Sequence, residues 1–284
     1  MSLIETLKII VLGIVEGFTE WLPISSTGHM ELVDEIIQLN QPEAYKEMFT
    51  VVIQLGAILA VVVMYFQKLN PLSPSKSSRQ RDATWSLWIK IIIACIPAAI
   101  FGLLFDDWME AHLHNAYVIS AMLIIYGVLF IVLENSHLCS NPQFQKVGQI
   151  SAKTALIIGA CQILSLVPGT SRSGVTILGA MVLGCSRTAA AEFSFFLGVP
   201  IMFGASGLKI LKYFLKGNTF TGPQVFYLVF GMVIAFVVSV YSIQFLMNYV
   251  RKNNFKFFGY YRIILGVIVL AYFGITALAA PTPI

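Results

Sequence analysis

Two apolar stretches of this chain are broken near their middles by polar segments. The first break reads Glu16-Gly17-Phe18-Thr19-Glu20-Trp21-Leu22-Pro23-Ile24-Ser25-Ser26-Thr27-Gly28-His29. The second reads Pro168-Gly169-Thr170-Ser171-Arg172-Ser173-Gly174-Val175-Thr176. Each stretch is long and apolar enough to enter a bilayer. An acid at the bilayer centre costs roughly 2.5–3.5 kcal/mol on insertion scales, so carboxylates, an arginine and a histidine at that depth mark a site.

Composition agrees. Of 284 residues, 57% are hydrophobic and only 11% are charged, against about 25% charged in a soluble domain. Mean hydropathy is +0.81. The apolar segments do not alternate as barrel strands do, so the chain reads as an all-α integral membrane protein. Glu5, Glu16 and Glu20 in and before the first apolar run argue against a cleaved signal. Cys95, Cys139, Cys161 and Cys185 lack CxxC spacing and read as small hydrophobes.

Six segments have spanning length: about 48–66, 88–105, 116–134, 192–212, 224–247 and 260–278. Segments of about 5–37 and 153–185 are the broken ones, and a broken helix at membrane depth requires surrounding protein or a wet cavity. Both read as re-entrant helix–loop–helix hairpins. The order is therefore hairpin, three spans, hairpin, three spans, within a single membrane domain, 1–284. Gly13 and Gly159, Glu16 and Gln162, Ser25 and Ser171, and Gly28 and Gly174 match at one offset; Phe49-Thr50 resembles Phe193-Ser194. This predicts two repeats, about 1–134 and 153–278. An odd number of spans per repeat makes the second inverted, with the site at the midplane.

Lys and Arg set the orientation. Lys68, Lys76, Arg79, Arg81 and Lys90, then Lys146 and Lys153, then Arg251, Lys252, Lys256 and Arg262 fall on one side, predicted to be cytoplasmic. Asp34, Glu35, Glu43, Glu47 and an acidic turn at Asp106, Asp107 and Glu110 fall on the other, with Lys209, Lys212 and Lys216 as exceptions. Residues 70–78 read as a flexible cytoplasmic loop.

Glu16 and Glu20, four apart, share one helix face and repel each other. A divalent cation, an arginine or partial protonation would relieve them. Pro23 ends that helix, and Ser25, Ser26, Thr27 and His29 follow. A hydroxyl or imidazole beside a base is the arrangement nucleophilic catalysis needs, although small hydroxyls also cap helices. In the second break, Gly169 lets backbone approach a ligand, and the following helix start offers free amides. Arg172 adds a planar fork suited to phosphate oxygens. Thr170, Ser171, Ser173 and Thr176 supply further polar groups, making an anion cradle. An Arg172–Glu salt bridge in the resting state is compatible with this. Gln54 is a cavity-lining candidate or a helix–helix contact. Glu192 reads as a cap of the span after the second hairpin or a residue that reaches the site, with capping favoured. His112, His114 and His137 read as solvated, and Trp21, Trp85, Trp88 and Trp108 as interfacial or packing residues.

These motifs resemble the undecaprenyl-diphosphate phosphatase (bacitracin-resistance) family along essentially the whole chain. Glu16-Gly-Phe-Thr-Glu20 is similar to its acidic ExxxE motif, and Pro168–Thr176 to its PGxSRSxxT motif. Leu22–His29 and Val51–Gly56 also look like family sequence. The resemblance implies a hydrolase that converts undecaprenyl diphosphate to its monophosphate and recycles the lipid carrier for peptidoglycan synthesis. It also implies a divalent cation (Mg2+ or Ca2+), an outward-facing site in the bacterial plasma membrane, a homodimer, and bacitracin resistance on overproduction. No nucleic-acid partner is expected. On this reading Glu16, Glu20, Ser26, His29 and Arg172 are catalytic, with Glu16 and Glu20 holding the metal. Ser25, Thr27, Gln54, Gly169, Thr170, Ser171, Ser173 and Thr176 bind substrate. The nucleophile is Ser26, His29 or water, with Ser26 assisted by His29 favoured. A transporter that flips the polyprenyl phosphate, and an anion or ion channel, are the rival classes.

Overall fold

Length and hydropathy dictate helices wherever backbone polar groups must satisfy one another out of water. The computed structural model describes residues 2–279, and its regular structure is helical. In chain order the helices are α1 (Leu3–Thr19), α2 (Ser26–Ile37), α3 (Glu43–Val52), α4 (Gln54–Met64), α5 (Phe66–Leu69), α6 (Ser78–Leu113), α7 (Ala116–Asn135), α8 (Ala152–Gln162), α9 (Arg172–Val182), α10 (Arg187–Leu215), α11 (Gly222–Val250) and α12 (Lys256–Ala279). Among the described residues, six helical stretches are long and apolar enough to cross a membrane: Glu43–Met64, Ser78–Phe105, Ala116–Asn135, Arg187–Leu215, Gly222–Val250 and Lys256–Thr276. They overlap the six expected spans, five of them beginning earlier than expected.

Several of these helices begin at polar caps. Ser77 and Gln80 form a reciprocal capping box on α6, Asn115 accepts from the Val118 amide at 3.0 Å, and Ser186 caps α10. The acidic turn expected at Asp106, Asp107 and Glu110 is not a turn: α6 runs through to Leu113. Those three side chains lie outside the described residues.

The first span is in two pieces, α3 and α4, parted at Ile53. Pro200 removes an amide from the hydrogen-bond ladder of α10 at the position matching Gln54 at the repeat offset. Helix α7 packs along α12, α1 along α11, α8 along α6, and α3 and α4 against α10. Small residues set these approaches, as in other membrane bundles. A Cβ on Gly159 would lie 1.9 Å from the Ala94 carbonyl oxygen, and one on Gly17 would lie 2.6 Å from that of Ala235. Trp21, Phe130, Phe193, Phe195, Phe196, Phe255 and Phe258 fill the centre, while Ile89, Ile92 and Ile96 of α6 and Val229, Val233 and Val237 of α11 face outward.

Both broken segments are helix–break–helix, and each ends beside its own start. Lys8 Nζ donates to the Gln38 carbonyl at 2.9 Å, and the Asn40 amide donates to Glu5 Oε2 at 3.1 Å. In the second, the Phe144 amide donates to the Gly184 carbonyl and Ser186 N to the Phe144 carbonyl, both at 2.9 Å. The first pair of ends lies with the start of α11, through Ser2 N to Tyr227 Oη and Tyr45 Oη to the Gln224 carbonyl. The second lies at the far end of α11, where Arg187, Val250, Arg251 and Lys252 line one cavity. The two segments therefore enter from opposite ends of the bundle.

Candidate active site

The tips of the broken segments meet. Ser25 and Ser171 each stand just before a helix in a left-handed backbone, with φ 74° and 72°. Each accepts from an amide three residues on: Gly28 N at 3.3 Å and Gly174 N at 3.1 Å. A serine in this region is strained, and such residues cluster where a site is built. Gly169 is also left-handed, φ +86°, and a Cβ there would lie 2.6 Å from the Ile119 carbonyl oxygen.

Glu20 is the hub. Its Oε1 accepts from Arg172 Nη2 at 3.1 Å and Nε at 3.4 Å, and its Oε2 accepts from Ser26 Oγ at 2.7 Å. Arg172 Nη1 donates to the Ser194 carbonyl at 2.8 Å, and the guanidinium lies 5.8 Å from the Trp21 ring centroid. The ion pair expected of the resting state is thus present, and it joins the two segments.

Several expected donors are spent on structure. Ser173 Oγ donates to the Glu20 carbonyl at 3.0 Å, with the Leu22 carbonyl at 3.3 Å. Thr176 Oγ1 donates to the Arg172 carbonyl at 2.8 Å and shares a 2.7 Å bond with Ser194 Oγ. Ser173 staples the tips together, and Thr176 ties α9 to α10. His29 is also tied elsewhere: Nδ1 to the Ser25 carbonyl and Nε2 to Tyr261 Oη, both at 2.7 Å, with the two rings stacked. The acceptor facing Ser26 is therefore Glu20, and His29 fixes the head of α2 to α12. Gln54 is half-buried at the head of α4. Glu192 is not a cap, because it pairs with Lys68 at 2.8 Å. His114 is not merely solvated but pairs with Glu31.

Among the described residues, the buried side-chain polar atoms without a partner are Glu16 Oε1, Trp21 Nε1, Gln162 Nε2 and Oε1, and Thr170 Oγ1. All belong to the two broken segments. A buried polar group left unpaired costs about 1–3 kcal/mol, so this concentration marks a place that takes polar guests. Above the tips a cavity of about 560 Å³ is lined by Thr27 and Glu31 of α2, Glu43 and Lys46 of α3, Pro168, and Lys209.

No group of three or more His, Cys, Asp or Glu side chains among the described residues is arranged to hold a metal. Glu16 and Glu20 nonetheless fit a hard cation of the kind held by one or two carboxylates plus phosphate oxygens and water, because Glu16 Oε1 is buried and uncommitted.

Arg262 escaped the sequence reading, which grouped it with the basic loop. It is fully buried and donates to the carbonyls of Pro23 (3.1 Å), Leu123 (3.4 Å), Met122 (3.3 Å), Gly169 (2.8 Å) and Thr170 (3.0 Å). Its one sequence signal is a cation seven residues inside a spanning segment that begins at Lys256.

Fold and site together define a polytopic helical membrane protein with an arginine–carboxylate–serine cluster where two broken helices meet. The chain belongs to the bacitracin resistance family: the family model described as Bacitracin resistance protein BacA matches residues 9–268. A Limosilactobacillus fermentum protein named undecaprenyl-diphosphatase is 58% identical over 275 residues, 97% of this chain and 100% of the relative. One of the same name from Enterococcus faecalis is 59% identical, covering 95% and 98%. Another, from Streptococcus thermophilus, is 56% identical, covering 95% and 94%.

Proposed function

We propose that this chain is a membrane hydrolase that removes the terminal phosphate of undecaprenyl diphosphate and so recycles the lipid carrier for cell-wall synthesis. Its near-full-length relatives are named for that activity. The observation that carries the chemistry is the Arg172–Glu20–Ser26 chain of hydrogen bonds where the two tips meet. No observation favours the transporter.

Arg172 is a bidentate fork for the terminal phosphate. At rest it is held by Glu20. A phosphate that takes the guanidinium frees Glu20 Oε1, while Oε2 already accepts the Ser26 proton. Glu20 then acts as general base and Ser26 Oγ attacks the terminal phosphorus. The Ser26 O–P bond forms, the anhydride O–P bond breaks, and undecaprenyl phosphate leaves. Water hydrolyses the phosphoserine and Glu20 returns the proton. Arg172 and the amides at the head of α9 stabilise charge on the transferred group. Glu16 and Glu20 would hold a divalent cation, which supplies further charge neutralisation when bound.

The broken segments act as re-entrant hairpins of an inverted repeat. Their ends close on opposite faces, and α1 packs on α11 as α8 packs on α6. The face bearing Arg251 and Lys252 is cytoplasmic and the cavity above the tips opens outward. The homodimer rests on the family resemblance alone. The test is phosphate release from a prenyl diphosphate by purified protein in detergent with a divalent cation. Release that vanishes in Glu20→Ala and Arg172→Ala supports the hydrolase. Intact substrate with the wild-type chain refutes it.

A further inference from the structure

We propose that Arg262 is a positioning residue for the phosphate site, pinning both hairpin tips and turning the Thr170–Ser171 peptide so that its amide, not its carbonyl, faces the phosphate. This rests on the phosphatase reading above.

Arg262 lies in a spanning helix, is fully buried, and has no carboxylate partner among the described residues. A buried charge survives only if its donors are satisfied. Here the partners are all carbonyl oxygens, with the Tyr126 ring 5.7 Å from the guanidinium. Met122 and Leu123 belong to α7 and anchor the arginine. Pro23 belongs to one tip, and Gly169 and Thr170 to the other.

In a trans peptide the N–H points opposite the C=O, and no peptide among the described residues is cis. The Thr170 carbonyl points at Arg262. The Ser171 amide therefore points the other way, joining the free amides of Arg172 and Ser173 in the first turn of α9. Without the guanidinium, the carbonyls of Gly169 and Thr170 would be unpaired and the peptides free to flip. That would present negative dipoles to an anion. The left-handed Ser171, next after Thr170, is the strained hinge that such a flip would relax.

The experiment uses Arg262→Lys and Arg262→Gln in the full chain, purified in detergent. Hydrogen–deuterium exchange is followed over 20–28 and 166–176 and over the spans. Steady-state turnover of a prenyl diphosphate is measured alongside. The proposal expects faster exchange in both tips with the spans unchanged. It also expects kcat to fall about a hundredfold in Arg262→Gln with little change in KM, and Arg262→Lys to be intermediate, because misplacement costs rate more than ground-state binding. Wild-type tip exchange and kcat in folded Arg262→Gln would overturn it. So would exchange that rises evenly along α7 and α12 with no excess at the tips. Where the Gln variant does not fold, the Lys variant decides by the same readouts. Loosened tips in a chain whose wild type releases no phosphate would refute the phosphatase reading and leave the clamp standing.

Discussion

Ser25 and Ser171, at matching positions of two hairpins, hold the same left-handed backbone: φ 74° and ψ 99° in one, φ 72° and ψ 118° in the other. Each caps the helix that follows. The likeness extends to the interfaces. Gly13, in the first hairpin, lies against Ile234 of α11, and its counterpart Gly159 lies against Ala94 of α6. Helix α11 therefore walls the first broken segment, and α6 the second.

Ser171→Gly keeps the favoured backbone and loses only the cap, at a cost of a few tenths of a kcal/mol. Ser171→Val loses the cap and forces a branched side chain into a left-handed turn, at about 2 kcal/mol or more. Thermal unfolding in detergent should rank wild type, Gly, Val. A Val variant as stable as wild type would contradict the strain.

Glu16 and Glu20 should part company when each is made Gln. Glu20→Gln removes the carboxylate from Arg172 and the base from Ser26, so phosphate release should fall about 10²–10⁴-fold and the melting temperature should drop. Glu16→Gln breaks no bond to Glu16 Oε1, which has no partner. Its melting temperature should hold or rise, while its activity falls and its divalent-cation requirement weakens. Equal losses of stability in the two variants would contradict the geometry.

Arg172→Lys keeps the charge and loses the fork. Activity should fall about a hundredfold, the scale on which a lost transition-state donor is felt. Near-normal turnover would remove Arg172 from its role.

Gly159→Ala pushes a methyl to 1.9 Å from the Ala94 carbonyl oxygen, whereas nothing stands within 4 Å of a Cβ on Gly204. Overpacking of this kind costs about 1–3 kcal/mol. Gly159→Ala should melt early and Gly204→Ala should not. The pair can be compared in one unfolding series.

The spans were legible because length and hydropathy alone decide them, and the broken segments because Pro23, Pro168 and Gly169 stand among charged and hydroxyl residues inside an apolar run, whereas Pro97 and Pro200, in apolar surroundings, leave α6 and α10 continuous. Ser25 and Ser171, matched at one sequence offset, share a positive-φ backbone. Which hydroxyls stay available was not legible. Ser173 and Thr176 look identical in sequence to ligand donors, yet Ser173 bonds the Glu20 and Leu22 carbonyls once the two segments meet, and Thr176 bonds Ser194 once α9 packs on α10. Arg262 was opaque for a related reason. Its partners are main-chain carbonyls, which leave no residue-type signature, and it follows closely on the basic residues Arg251, Lys252 and Lys256.

The packing of α1 along α11 bears on how the protein is made. Gly17 needs the Ala235 backbone beside it, but Ala235 leaves the ribosome more than two hundred residues later. The opening hairpin, with Glu16 and Glu20 aboard, must therefore wait, sheltered by the insertion machinery or held near the membrane surface. Synthesised well before α11, it reaches its final seat only after α11 arrives. A chain truncated before α11 should strand that hairpin and be cleared by membrane proteolysis.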